Sequence, residues 1–483
     1  MNRRLHLFFT FCIFCLSCSE DATMDEIDDM VVPEPVLQVA DLTLSIDENL
    51  DSGSLLGVFM TTRENLAETV IFSITEVSAS GSVQIDNDGR LTIADETAFD
   101  FEARSSIAGT IRATAGNVSD SAQFTITIND VNEPIVFISQ WNLPDDNLTV
   151  QLPIYEGNSE DGTDYNFSVD WGDGTITEVT SFDDEDAMHT YGDSGIKTVT
   201  ISGFITGFNF GQTQDSRDLF YDVLQWGGLN LGNAERHFEL CRNLIGFTAT
   251  DSPNLRAMTS MEFMFSSALM FNGDISHWDV SNIIDMTGVF VIASSFDQDI
   301  SNWDVSKVTL MRGMFADAAA FNQDISGWDV RNVTDMEAMF ASTTVFNQDI
   351  SSWDVGRVTE FRAMFRDAVA FNQDISTWDM DSALDLGLMF SGASSFNQNL
   401  STWNVSNVIQ MDWMFQDAES FNQDISNWDV GQVTDMREMF GNAVVFNQDL
   451  SNWDTTNVTV CNDFSTGSAL EMEHLPILGC FAP

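Results

Sequence analysis

Two N-terminal β-sandwich domains followed by an α/β solenoid with a parallel β-sheet is the fold class this sequence predicts, and three observations predict it. Tryptophan recurs every 25 residues through Trp278, Trp303, Trp328, Trp353, Trp378, Trp403, Trp428 and Trp453, and a period of that size marks a solenoid of stacked units. Ahead of the array, short runs of alternating apolar and polar residues are separated by Gly, Asn and Asp, the pattern of half-buried strands joined by turns. Inside each repeat a helix-like spacing alternates with a strand-like one. At 483 residues the chain is also too long for one ordinary core.

Eighteen Lys and Arg face 75 Asp and Glu, a formal charge of -57, while 43% of the residues are hydrophobic. There is enough apolar material to build cores, and the surface must be strongly acidic. Such a field repels nucleic acid and anionic headgroups and favours divalent cations and basic partner patches. Nucleic-acid binding is excluded on this ground.

Arg3 and Arg4 precede an apolar stretch from Leu5 to Leu16 that ends in Leu16-Ser17-Cys18. The stretch is too short to span a bilayer as a permanent helix and reads as an export signal. A small residue directly before a cysteine resembles the lipobox of bacterial lipoproteins, although Cys15 stands where that motif usually has Leu. The resemblance implies a signal peptide over 1–18 with Cys18 lipidated as the first mature residue; the alternative is an ordinary signal peptide cleaved nearby. Residues 19–35 carry Glu20, Asp21, Asp25, Glu26, Asp28 and Asp29, an acidic flexible tether that resembles the surface-export signal of some Gram-negative lipoproteins. The implied location is the cell surface, as an outer-membrane lipoprotein that meets the membrane only through its lipid.

Residues 36–134 form the first β domain. Leu42-Thr43-Leu44-Ser45-Ile46 and Phe124-Thr125-Ile126-Thr127-Ile128 alternate cleanly, as sandwich strands do. Asp47-Glu48-Asn49, Phe99-Asp100-Phe101-Glu102 and Asp130-Val131-Asn132-Glu133-Pro134 follow in order, and together they resemble a cadherin repeat. The resemblance implies calcium ligands at Glu48, Asp100, Glu102, Asp130, Asn132 and Glu133, and hard oxygen donors suit that ion. A further family aspartate is replaced by Ala115. The alternative is that these acids are turn residues without metal.

Residues 135–205 form a second β domain containing Asp170-Trp171-Gly172-Asp173-Gly174-Thr175, then His189-Thr190-Tyr191. Asp-Gly between alternating runs signals a hairpin, because the turn needs positive φ. The combination resembles PKD-type immunoglobulin-like domains, which implies a spacer. His189 lies near Asp170 and Asp173 with no nucleophile motif beside it, so a structural histidine is expected.

Eight repeats occupy 261–460, with a degenerate capping repeat over 206–260 and a C-terminal cap over 461–483. Met336, Met339 and Phe340 follow helical spacing, and Thr334 with Glu337 forms a capping-box candidate. Ile325, Trp328 and Val330 match a short strand. Stacking lays such strands side by side, because no single unit can bury its own Trp, Phe and Met. Phe271, Phe296, Phe321, Phe346, Phe371, Phe396, Phe421 and Phe446 are expected to stack as an aromatic spine, the tryptophans as another, and Asn322, Asn347 and Asn372 to form an asparagine ladder. Phe-Asn-Gln-Asp-Ile-Ser-x-Trp-Asp-Val, in Phe321 to Val330, resembles the BspA-like leucine-rich-repeat surface proteins of bacteria, over about Leu219 to Ser465.

The candidate binding face is the column after each Trp: Asp279, Asp304, Asp329, Asp354, Asp379, Asn404, Asp429 and Asp454. On a sheet these would point outward with like charges one strand apart, which is destabilising unless offset. A basic partner or divalent cations would offset them; hydroxyls and solvent are the alternative. Cys241 fills an apolar slot and reads as a buried thiol, while Cys461 and Cys480 are a candidate disulfide at the end of the array. No His-Glu-x-x-His, Gly-x-Ser-x-Gly or phosphate loop is present, which argues against an enzyme. The BspA-like resemblance implies adhesion to an extracellular protein or matrix ligand. Glycan capture for nutrient uptake and a structural surface-layer role are the alternatives.

Overall fold

The computed structural model describes residues 34–482 apart from 102–103, 130, 132–133, 157–164, 206 and 213–215. The export signal, Cys18 and most of the acidic tether, along with Glu102, Asp130, Asn132 and Glu133, lie outside the described residues. Contacts divide the chain into two units, Met1–Asp130 and Val131–Pro483.

The first unit contains β1 (Val36–Val39), β2 (Leu42–Asp47), β3 (Leu55–Val58), β4 (Thr61–Glu64), β5 (Ile71–Val77), β6 (Val83–Ile85), β7 (Arg90–Ile93), β8 (Ser106–Ala115) and β9 (Val118–Asn129). Sheets in the orders β2-β9-β8-β5 and β3-β7-β6 enclose a core that includes Phe59, Phe72, Leu91, Phe99, Ile107, Phe124 and Ile126. Side chains of β9 alternate between exposed and buried, so the period-two pattern in the sequence is the core face of this sheet. β2 runs parallel to β9 with Asp47 opposite Asn129, which sets Glu48 at one end of the unit.

The second unit opens with β10 (Ile135–Leu143), β11 (Thr149–Gln151), β12 (Asn166–Asp170), β13 (Ile176–Val179), β14 (Met188–Thr190), β15 (Gly195–Phe204), β16 (Phe220–Gln225) and β17 (Gly246–Phe247). Six of these form one sheet in the order β13-β12-β15-β10-β16-β17. β16 pairs antiparallel with β10 and parallel with β17, so the sheet runs on into the first coil of the array. Phe137, Trp141, Phe220, Trp226 and Phe238 belong to the same core as the repeats. The division expected at 205/206 is therefore not a break. A solenoid's first coil has an apolar face that must be covered, and here the β domain covers it, acting as cap rather than spacer.

The repeats stack as the 25-residue period requires, but not as alternating helix and strand. Among the described residues no α-helix forms, and the regular elements are strands and short 3-10 turns. Trp328, Asp329 and Val330 lie in irregular backbone. Successive repeats are joined elsewhere, by single parallel bridges from Ser260 through Asp285, Leu310, Asp335, Glu360, Asp385, Gln410 and Asp435 to Val460. From Met336 to Thr343, alternate amides donate to the next repeat, Met336 to Glu360, Ala338 to Arg362, Phe340 to Met364 and Ser342 to Arg366. The amides between donate three residues back within the repeat, Met339 to Met336 and Ala341 to Ala338. Two left-handed residues per repeat, Ala338 and Ser342 each at φ 56, make this winding possible and rule out a helix. The Thr334–Glu337 capping box is not formed; Asp335 instead caps the turn by accepting from Glu337 N at 2.8 Å.

The aromatic columns fill the interior. Phe315, Phe340 and Phe365 stack at 5.7 Å between repeats, beside the Phe321 and Phe346 column at 6.1 Å, and within a repeat Phe315 and Phe321 are 3.9 Å apart. Each Trp of the 25-residue column is at most 4% exposed. Its indole Nε1 donates to the Ile or Leu carbonyl of the repeat before, as from Trp353 to Ile325 at 3.1 Å; only at the start of the ladder, in Trp278, is Nε1 without a partner. Asn322 Oδ1 accepts from Asn347 N at 3.0 Å and from Gln348 Nε2 at 3.0 Å, so the asparagine ladder spans repeats through side chains.

Candidate functional site

That difference between the two sides of the coil sets its curvature. Direct backbone pairing holds repeats about 4.8 Å apart along the bridge column, which we term the ladder face. On the opposite, turn face the gap is bridged by Asn, Gln and Trp side chains, and the Trp403 and Trp428 rings are 6.4 Å apart. Across a core about 10 Å thick the mismatch amounts to a wedge of about 9° per repeat. The Phe rings tilt by 7° to 8° from one repeat to the next, and the ladder face is the more closely spaced side of the coil.

The aspartate column expected to form the binding face lies on the turn face, not on the paired one, because the paired segment is Thr-Asp-Met and not Trp-Asp-Val. One side-chain oxygen of each residue is spent on the chain. Asp279, Asp304, Asp329, Asp354, Asp379, Asn404, Asp429 and Asp454 each accept from the amide two residues on, at 3.0 to 3.3 Å. A second column does the same, Asp324 accepting from Ser326 N at 2.9 Å and Asn399 from Ser401 N at 2.9 Å. Asn can replace Asp in either column because only an acceptor oxygen is needed. Hydroxyl and amide donors of the following Ser hold Asp274, Asp299, Asp324, Asp349, Asp374, Asp424 and Asp449 below the usual carboxylate range. The like charges are thus offset by turn donors, a role the sequence signals through Asp-x-Ser spacing.

The ladder face carries different chemistry. One column reads Glu262, Thr287, Arg312, Glu337, Arg362, Gly387, Asp412, Arg437, and the next reads Phe263, Gly288, Gly313, Ala338, Ala363, Leu388, Trp413, Glu438. Arg312 pairs with Glu337 at 2.9 Å. Arg362 reaches past a neighbour to Asp412, two repeats away, at 2.8 and 3.2 Å, and also approaches Asp385 at 3.4 Å. Gly387 makes that possible, since a Cβ there would lie 2.1 Å from Arg362 Nη1. Arg437 pairs with Asp435 and lies over the Trp413 ring, 5.1 Å from its centroid. Burial, then neighbouring carboxylates, raise Glu360 and Asp385 above the usual range. This face was not singled out from the sequence; its signal is that these columns swing from Arg to Glu and from Gly to Trp while their neighbours hardly vary.

In the first unit Glu48 is 4% exposed and its Oε2 accepts from Phe101 N at 2.7 Å. Asp47 Oδ1 accepts from Asn129 Nδ2 at 3.0 Å. The structure thus brings Glu48 to the Phe99–Phe101 turn that carries Asp100, an oxygen-rich end that fits a hard cation. Ala115, where the family has an aspartate, is 1% exposed and offers no donor. In the second unit, Asp173 Oδ2 and His189 Nε2 are 2.8 Å apart, His189 stacks on Trp171 at 5.1 Å, and Tyr191 Oη donates to Trp171 O at 2.8 Å. His189 and the Thr175 donors bring Asp173 down to about 2. Gly172, at φ 80, could bear no Cβ, which would meet Thr198 O at 2.4 Å. These contacts lock a turn.

At the far end Cys461 and Cys480 form a disulfide, Cα to Cα 6.2 Å. The segment before Cys480 takes the place of the missing next repeat: Leu450 N donates to His474 O, and Glu471 N and His474 Nδ1 donate to Asn447 Oδ1, the last rung of the asparagine ladder. Cys241 is buried and free, its thiol pushed well up by burial.

Fold and faces together define a strand-and-turn protein whose larger unit continues a β domain into an array of stacked repeats, with a paired face on which charge alternates from repeat to repeat. The sequence profile of the family described as "Mycoplasma protein of unknown function, DUF285" matches residues 233–345, 325–412 and 375–473, just under half of the chain and all of it in the array. No curated protein matches the chain. Solved structures with similarity include protocadherin gamma B2 extracellular cadherin domains 3-6, at 13% identity and TM-score 0.21, covering 37% of this chain and 40% of that one. Protocadherin gammaB7 EC3-6 follows at 19% identity and TM-score 0.21, covering 30% and 36%, and the human desmocollin-1 ectodomain at 14% identity and TM-score 0.19, covering 36% and 34%. The chain thus spans about two-fifths or less of these three structures. No helix of the described residues is long and apolar enough to cross a membrane.

Proposed function

We propose that this chain is a non-enzymatic, lipid-anchored surface protein of a Gram-negative bacterium that binds an extracellular protein or matrix ligand through its repeat array. The observation that carries this reading is how the repeats are used up. Apolar columns are consumed by stacking and the Asp and Asn columns by turn donors, so what varies from repeat to repeat is a displayed surface. An array of regular repeats whose outward side chains differ from repeat to repeat is built to present contacts, as solenoids do.

The BspA-like resemblance of Phe-Asn-Gln-Asp-Ile-Ser-x-Trp-Asp-Val supports adhesion, and the Leu16-Ser17-Cys18 motif supports the lipid anchor. The domain that carries the PKD-like Asp-Trp-Gly-Asp-Gly turn caps the array through β10 and β16, and the cadherin-like end of the first unit is proposed to bind calcium through Glu48 and Asp100. Burial of the 25-residue Trp column leaves the turn face without the stacking platforms that glycan capture would use, and the charged residues around Trp413 on the ladder face favour a protein ligand.

The test is a binding screen of the full mature chain against matrix and cell-surface proteins, with and without calcium, beside an assay for hydrolysis of the same panel. Cutting at Leu219 would strip β16 from β10 and uncap the array, so the whole chain is the right reagent. Saturable binding without turnover is expected; cleavage of any partner overturns the reading.

A further inference from the structure

Resting on that reading, we propose that the recognition surface is the ladder face between Arg312 and Glu438, and that its partner is a basic protein segment whose Lys or Arg side chains lie across successive repeats. Three observations carry it. The first is where the repeats differ. Structural columns hold Phe, Asn, Gln, Asp and Trp almost without change, and the turn face varies chiefly among small polar residues, as at Ser306, Gly356, Asp381 and Ser406 beside a lone Arg331, whereas this face alternates large groups of opposite charge at Arg312, Glu337, Arg362, Asp412 and Arg437.

The second is Trp413. Gly288 and Gly313 occupy its column at φ 60 and 59, the left-handed region that glycine tolerates best, yet Trp413 sits there at φ 57 and Leu388 at φ 60. Both keep part of their surface in solvent. A bulky side chain held in a disfavoured backbone outside the core signals a use other than folding.

The third is charge. The three arginines pair internally with Glu337, Asp412 and Asp435, while Asp335, Glu360 and Glu438 make no ion pair among the described residues. Asp335 and Asp385 flank Glu360 in the bridge column, so the carboxylates push on one another. Cations supplied by a partner would relieve that repulsion and stack beside Arg437 on the indole, favourable at a partly desolvated face. A glycan brings no such charge.

The experiment uses the full chain with a labelled lysine-rich peptide and its glutamate counterpart at physiological ionic strength. Binding of the first and not the second is expected. A triple variant of the ladder face, Asp335→Asn, Glu360→Gln and Glu438→Gln, should weaken binding by about tenfold or more. Its match on the turn face, Asp354→Asn, Asp379→Asn and Asp429→Asn, removes the same charge, keeps each turn acceptor as Asn404 does, and should change binding by less than about twofold. Trp413→Gly should also weaken binding while leaving the thermal midpoint unchanged or raised. Equal loss in the two triple variants would mean a diffuse acidic field and overturn the assignment of the face. Failure of the lysine peptide to bind the parent chain would overturn the partner chemistry. In either case the surface-binding reading is decided separately by the protein screen above.

Discussion

Replacing Trp353 and Trp278 by Phe separates the indole hydrogen bond from the packing of the ring. Both tryptophans are 3% exposed, so both variants lose a similar ring area and leave a similar gap. They differ in one bond. Trp353 Nε1 donates to Ile325 O at 3.1 Å, and Ile325 O also accepts from Trp328 N at 3.2 Å. Trp353→Phe therefore leaves that carbonyl with one partner and forfeits a net hydrogen bond, about 1 kcal/mol. Trp278 Nε1 is buried with no acceptor, and Trp278→Phe removes an unsatisfied donor whose burial costs about 1–3 kcal/mol.

The Trp353 variant should thus be the less stable by about 2 kcal/mol, with Trp303→Phe, whose Nε1 bonds Ile275 O at 3.0 Å, behaving like it. Urea unfolding of the full chain, followed by far-ultraviolet circular dichroism, reads the difference as a shift in midpoint at constant slope. Equal midpoints for all three variants would refute the claim that the ladder of indole bonds, and not ring packing alone, ties one repeat to the next.

Asp354→Asn should leave stability within about 0.5 kcal/mol, whereas Asp354→Ala, which deletes the acceptor for Gly356 N, should cost about 1 kcal/mol; thermal melts of both check it. Removing the disulfide with Cys461→Ser and Cys480→Ser opens a loop of 19 residues and should cost about 3 kcal/mol, with faster amide exchange confined to the last repeat and cap. Stability against pH should have two phases, because the carboxylates divide. Glu337, Glu360 and Asp385 have raised values in the folded chain, so their contribution is full below the usual carboxylate range and is lost as pH rises through their folded values. Asp173, at about 2, and the Asp-x-Ser aspartates have lowered values, so theirs is present above that range and lost as pH falls through it. Chemical denaturation at stepped pH should show a shallow maximum just above the carboxylate range and a steep loss below it. Calcium should raise the melting point of the first unit, and Glu48→Gln should remove that rise.

Period and burial were legible in the sequence because both follow from identity at a fixed interval. Trp353 and Phe346 must meet their equivalents when identical units stack, whatever backbone carries them. The backbone itself was misread at Met336, Met339 and Phe340, whose spacing of three and one is that of a helix face. Two consecutive tight turns also bring every third or fourth side chain inward, so the apolar pattern does not separate the two windings. What does separate them is the pair of left-handed columns. Gly288, Gly313, Asp317, Asp367, Gly392 and Asn442 stand at those positions, and Gly, Asp and Asn are the residues that enter this region at least cost. A helix would have no reason to place them at fixed points on its face.

The same error displaced the binding face. With the paired segment assigned to Trp328-Asp329-Val330, the aspartate column fell on a sheet surface and its charge asked for a ligand. Once pairing moves to Asp335 and Glu360, those aspartates become turn acceptors that hold the outer rim, and the inner rim inherits the question of recognition. The rims differ because their spacing differs. An outer gap too wide for direct backbone bonds must be closed by side chains of fixed length, so Asn, Gln and Trp recur there with little freedom to change. A rim joined through main-chain atoms asks less of its side chains, a turn acceptor at Asp335 and a left-handed backbone at Ala338 and Ser342. Main-chain pairing thus leaves columns such as Arg312, Glu337, Arg362 and Asp412 room to change charge from one repeat to the next, and that change is what a partner laid across the ladder would read.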